Sequence, residues 1–106
     1  STPFNGTNTS DKFAIGTNRE PTLIVSHDNK IGIKVKAPKE DLEVAGAIRY
    51  QGQTHSYANS MPTNGNHEQG DIVWNARPEP GKTFGWVCVK SGAPGTWCEI
   101  GNVSPI

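Results

Sequence analysis

Residues Gly70 to Gly101 read GDIVWNARPEPGKTFGWVCVKSGAPGTWCEIG and contain all three tryptophans and both cysteines of the chain. Three strand-like runs sit inside this stretch: Ile72 to Asn75, Gly85 to Lys90 and Thr96 to Ile100. Between them, Pro78-Glu79-Pro80-Gly81 and Ser91-Gly92-Ala93-Pro94-Gly95 are turns, because proline presets φ and glycine permits positive φ. With Ser91 to Gly95 as a five-residue hairpin loop, Lys90 pairs with Thr96, Val89 with Trp97 and Cys88 with Cys98. That register leaves two states open for Cys88 and Cys98: a cross-strand disulfide, or two reduced thiols acting as small hydrophobes. It also sends Trp86 and Trp97 to opposite faces of the hairpin.

Upstream the chain is thinner and more polar. Phe13 to Gly16 is a short strand candidate and Thr22 to Ser26 a better one. The polar turn His27-Asp28-Asn29-Lys30 leads into Ile31 to Lys36, where Ile31, Ile33 and Val35 share one face and the lysines the other. Ala37 to Asp41 breaks this strand. Leu42 to Tyr50 alternates again, placing Leu42, Val44, Ile48 and Tyr50 on one face; β-branched residues and Gly46 favour strand over the competing helix. Gln51 to Gln69 holds little aliphatic material and reads as a long loop, with Asn64-Gly65 a tight turn. A loop of that length in a small domain is functional or held by a neighbour.

At 106 residues the chain is one domain or two very small ones. A monomer of this size buries roughly 60–65 % of its unfolded surface. Its hydrophobic content is 33 %, against the usual range of about 45–50 %. That leaves too little apolar material for a large private core: either the structure is loop-rich and marginal, or apolar faces are shared between chains. The formal net charge is zero, and Lys34, Lys36 and Lys39 are cancelled at once by Glu40, Asp41 and Glu43, so no nucleic-acid footprint is present. No apolar run approaches the length of a membrane-spanning helix.

Chemistry-bearing residues are sparse. His27, His55 and His67 fall in turns or loops, beside Asp28 and Glu68 in two cases, with no His-x-His pair; no metal site and no cofactor are expected. Asp71, Glu79 and Glu99 qualify for acid–base work by type only, and no nucleophile-elbow motif accompanies the serines. No catalytic residue is expected. The aromatic set Trp74, Trp86, Trp97, Tyr50, Tyr57 and Phe84 has two readings: packing in a core short of Leu and Phe, or flat surfaces on which sugar rings stack. Trp74, Trp86, Trp97 and Tyr57 are the candidate carbohydrate-binding residues.

Two segments resemble known phage proteins. Asn29-Lys30-Ile31-Gly32-Ile33, followed by the run from Ala37-Pro38-Lys39 to Ala47-Ile48-Arg49, is similar to the "GNVGIGT…P…KLEVNGNI" repeat of bacteriophage tail fibres and tailspikes. The segment from Pro62-Thr63-Asn64-Gly65 through Gly70-Asp71-Ile72-Val73-Trp74-Asn75 to Gly85-Trp86-Val87-Cys88 and Pro94-Gly95-Thr96-Trp97 resembles a carboxy-terminal module of phage and prophage tailspikes, often found behind pectate-lyase-like β-helix depolymerases. The chain departs from that pattern at Cys98, where a lysine or another polar residue is expected. The enzymatic residues of such proteins lie in the β-helix, so none is carried over to this chain.

The combined expectation is an all-β chain of short antiparallel strands with Gly/Pro turns, intertwined or packed as a homotrimer and ending in a small β-tip. Residues 1–12 form a lead-in, residues 13–51 a fibre-like trimerisation segment and residues 52–106 the tip. Leu23, Val25, Ile31, Ile33, Val35, Leu42, Val44 and Ile48 supply the shared trimer core. The resemblance implies a non-catalytic module that trimerises and caps a fibre at the host-attachment end of the virion, acting outside the host cell. Two alternatives accompany it: a tip that binds host cell-surface polysaccharide, and a chaperone domain released by cleavage ahead of Ser1.

Overall fold

The computed structural model describes residues 13–17 and 20–106. The expected lead-in, with Ser1, lies outside the described residues. Those described form nine short β-strands and no helix, in two sheets. The chain divides into two compact units, one ending at Gly46 and the other running from Ala47 to Ile106, so the boundary falls ahead of the expected one at Gln51.

The first sheet has the order β1 (Phe13–Thr17), β2 (Glu20–Val25), β3 (Ile31–Ile33) and β4 (Leu42–Val44). β2 and β3 form the expected hairpin, closed by Ser26 N–H donating to Lys30 O at 2.8 Å and Asn29 N–H to Ser26 O at 3.0 Å. Asn29 takes φ of 66°, a left-handed conformation that asparagine tolerates. β3 stops at Ile33, not at Lys36, because Lys34 also turns left-handed (φ 61°) and its N–H donates to Thr22 O at 2.7 Å. The chain then crosses behind the sheet and returns as β4, which pairs with β3 in parallel. Val35 is thereby moved off the Ile31/Ile33 face. Its carbonyl lies where a Cβ on Gly32 would stand, on the side that buries Ile24.

The second sheet has the order β5 (Ile48–Tyr50), β6 (Gln53–Ala58), β7 (Ile72–Asn75), β8 (Gly85–Lys90) and β9 (Thr96–Glu99). Leu42 to Tyr50 is therefore not one strand: it is split at Gly46 between two sheets, and Ile48 leaves the proposed trimer core for the second unit. Gln51 to Gln69 is not one loop either. Gln51 and Gly52, at φ 51° and 84°, make a two-residue hairpin turn that leads into β6. β6 then runs parallel to β7, so each sheet contains one parallel pairing among otherwise antiparallel ones.

β7 and β8 match the sequence reading residue for residue, and β9 ends one residue earlier, at Glu99. The turn Glu79-Pro80-Gly81-Lys82 forms as its composition dictates, with Lys82 N–H donating to Glu79 O at 3.0 Å and Gly81 at φ 83°. The β8–β9 register differs from the expected one. Lys90 does face Thr96, but a bulge at Val89 sets Cys88 opposite Trp97 and Val87 opposite Cys98. Opposed residues share a face, so Cys88 and Cys98 lie on opposite faces of the sheet, and both thiols are free. The bulge has a local cause. The Cys88 thiol turns back to donate to Lys90 O at 3.3 Å, and a Cβ on Gly95 would crowd both groups, at 2.8 Å from Lys90 O and 3.1 Å from Cys88 Sγ.

Candidate functional site

In the first unit the register builds a grid. Phe13, Val25, Ile31 and Leu42 are paired across the four strands in one row, and Ile15, Leu23, Ile33 and Val44 in the next. Because side chains alternate with period two, all eight stand on the same face. None is fully buried, and Leu42 is 58 % exposed. The opposite face carries Ala14, Ile24, Gly32 and Glu43, of which Ile24 is buried. Six of the eight expected core residues thus fall on the grid: Leu23, Val25, Ile31, Ile33, Leu42 and Val44.

The second sheet repeats the asymmetry with different chemistry. One face carries Arg49, Ser56, Asp71, Val73, Trp86, Cys88, Trp97 and Glu99. Val73, Trp86 (7 % exposed) and Cys88 form its core, with Asp71 and Thr83 as buried polar groups. Trp86 is consequently a core residue and leaves the set of sugar-stacking candidates. Trp86 and Trp97 share this face, contrary to the expected register, and Trp97 is half-buried.

The other face shows the rows Ile48, His55, Ile72, Val87, Cys98 and Tyr57, Trp74, Gly85. Tyr57 is 73 % exposed, Trp74 half-buried and Phe84 exposed. The Trp74 ring lies over Gly85, where a Cβ would come within 3.2 Å of its Cε3, and meets Phe84 edge-on at 5.3 Å between centroids and 61°. With Pro78 they line a groove of about 540 Å³. Phe84, a member of the aromatic set but not one of the four named candidates, joins Tyr57 and Trp74 here.

A second, polar cavity of about 360 Å³ opens on the loop-covered face, lined among others by Arg49, Ser56, Asn66, His67, Asp71 and Trp97. Asp71 organises it. Its Oδ1 accepts the Thr54 N–H and its Oδ2 the Glu68 N–H, each at 3.0 Å. Burial raises the Asp71 carboxyl, but the two backbone N–H groups and the nearby Arg49 charge outweigh that and hold it below the usual aspartate range. Arg49 donates to Thr54 Oγ1 and Glu68 Oε1, both at 2.8 Å, and the Glu68 carboxylate raises the guanidinium further above its ordinary value. His67 donates from Nε2–H to Asn64 O at 2.9 Å and packs edge-on against Trp97 at 5.1 Å. Its main chain exchanges two hydrogen bonds with Gly92, so the loop is tied to the β8–β9 turn as well.

Of the remaining histidines, His27 is exposed in the β2–β3 turn and His55 lies 5.7 Å from Tyr50 on the apolar face. Among the described residues no group of three or more His, Cys, Asp or Glu side chains is placed to hold a metal ion. Nor is any helix there long and apolar enough to cross a membrane. No protein family, curated protein or solved structure matches the chain.

Proposed function

We propose that the chain is a non-catalytic assembly module of the phage tail-fibre or tailspike type, joining copies of itself through the open face of its first sheet. The eight-residue apolar grid is the observation that carries this reading. Full burial of such side chains is worth about 1.5–3 kcal/mol each. With most of them half-buried already, the gain still available is on the order of 6–12 kcal/mol. Association costs about 4–15 kcal/mol. Gain and cost are of the same order, so the face favours a reversible, concentration-dependent association. Three-fold order, a capping role and a place at the host-attachment end of a virion come from the resemblance in the Asn29–Ile33 and Gly70–Trp97 segments.

Light scattering tests the reading. The chain should run as a trimer, with or without reductant, because neither thiol is bonded. Leu42→Glu, at the most exposed position of the grid among strand residues, should shift the mass to monomer while leaving the circular dichroism unchanged. A wild-type chain that stays monomeric at high concentration refutes the assembly role.

The groove of Tyr57, Trp74, Pro78 and Phe84 favours a second reading, a tip that contacts host polysaccharide. It offers flat, rigid aromatic surface without a charged side chain in its lining, suited to the apolar face of a sugar ring. Retention on immobilised polysaccharide should fall with Trp74→Ala and be untouched by substitution at Trp97. Equal retention of all variants removes the groove from consideration.

A further inference from the structure

The second sheet ends in two strand edges that no other described strand covers, β5 and β9. Both are exposed along most of their length. Both are short and each carries one charge, Arg49 or Glu99, but neither contains a proline, a bulged residue or a lysine that would block pairing with another chain.

We propose that β9 of one copy pairs with β5 of the next, antiparallel, so that the second units of an assembly join edge to edge. This rests on the self-association reading above but uses a different surface of a different unit. The strand directions allow it. Following the pairings across the sheet, β5 and β9 run antiparallel to one another. Rotation about an axis along the strands preserves those directions, so it brings β9 against the neighbour's β5 in antiparallel sense. The contact is heterologous, and cyclic symmetry closes it without leaving a free edge.

Backbone hydrogen-bonding groups fix the register. Ile100 N–H donates to Gly85 O, so by alternation Cys98 faces β8, and the main-chain groups of Trp97 and Glu99 point away from the sheet. On β5, the tight turn at Gln51-Gly52 makes Tyr50 and Gln53 the hydrogen-bonded pair, which leaves the main chain of Arg49 pointing outward. Thr54 obeys the same alternation, since its N–H leaves β5 to reach Asp71. Outward groups meet when Arg49 of one copy stands opposite Trp97 of its neighbour. All four β9 residues then have partners: Thr96 with Tyr50, Trp97 with Arg49, Cys98 with Ile48 and Glu99 with Ala47.

Side-chain chemistry agrees with that register on both faces. On the loop-covered side Arg49, whose guanidinium is held by Thr54 and Glu68 of its own chain, stands opposite Trp97, with the Glu99 carboxylate diagonal to it as a complementary charge. On the apolar side Cys98 continues the row that begins at Ile48. Lateral pairing extends the sheet and leaves the aromatic groove uncovered.

Ile48 and Cys98 would form a non-hydrogen-bonded pair, the kind with the closer Cα atoms. An Ile48→Cys chain, mildly oxidised in dilute solution, should therefore form intermolecular disulfides between the introduced thiol of one copy and Cys98 of the next. The product should be a covalent closed trimer on a non-reducing gel. A disulfide within one chain would run at the monomer position on the same gel and would reject the contact. Glu99→Pro removes only an outward N–H and should reduce the cross-linked fraction at least tenfold with the fold intact. An oligomer by light scattering without this cross-link overturns edge pairing and leaves the first-sheet contact standing. A monomer overturns both. Cys98–Cys98 dimers in the unsubstituted chain would show a two-fold contact instead, and a ladder beyond trimer an open one; either result rejects the closed arrangement.

Discussion

The two sheets solve the same shortage in different ways. Each covers one face with its own connections and leaves the other apolar and open. In the first unit the covered side buries little more than Ile24, so most of its apolar residues stand on the open grid. In the second the loops after β6 and β7 bury Val73, Trp86 and Cys88 and enclose two polar groups, Asp71 and Thr83. A sheet that keeps its large side chains outside can reach a full core only by adding more surface from elsewhere. One that encloses a tryptophan is nearer to self-sufficiency.

Removing the enclosed residue is the most direct way to break that contrast. Trp86→Ala should cost about 3–5 kcal/mol, the range for deleting a buried aromatic. The loss should appear in hydrogen exchange as lowered protection of the Val73 and Cys88 amides. If Trp86→Ala changes protection by less than a factor of ten, the second unit has no core of its own in the sense argued here.

Next in size is Asp71. Two backbone N–H groups at 3.0 Å depend on its carboxylate, so Asp71→Ala should cost about 1–3 kcal/mol by leaving them unpaired. Its folded pKa is depressed, so its contribution is fully present above the unfolded value, about 3.9, and is lost as pH falls through the lower folded value. A pH titration of unfolding should show this acid loss in the wild type and a flatter curve in Asp71→Asn. An identical acid limb in both would mean that other carboxylates set it.

The strands with aliphatic or aromatic side chains were legible in the sequence, and β7 and β8 came out residue for residue. β6 was not. Its residues, Gln53-Thr54-His55-Ser56-Tyr57-Ala58, contain no aliphatic branch, because its partners supply the apolar surface on both faces. Its entry turn also uses Gln51 at positive φ, where Asn or Asp would have signalled a hairpin. The cysteine pairing failed for a different reason. A bulge adds one residue to one strand, and a period-two pattern cannot show it; from Val89 onward every facing assignment flips. That single residue moved Trp97 to the side of Trp86 and separated Cys88 from Cys98. On the first sheet no bulge falls between Leu23 and Val44 in the β2–β3–β4 register, and there six of eight proposed shared-core residues landed on one face.

The smallest expected change in stability sharpens the comparison most. Tyr57 is the most exposed aromatic of the described residues, so Tyr57→Ala should alter unfolding free energy by no more than about 0.5 kcal/mol. Trp86, on the opposite face of the same sheet, should cost several times that. If Tyr57→Ala instead lowers stability by more than about 1 kcal/mol in a concentration-dependent way, the aromatic face is covered in the assembly. Its aromatics would then be packing material, as in the grid of the first sheet. If stability is unchanged and polysaccharide retention drops, the ring is held outward for a ligand. An exposed aromatic that supports neither folding nor assembly must be accounted for by what it touches, and urea unfolding of this one variant at two protein concentrations separates the two cases.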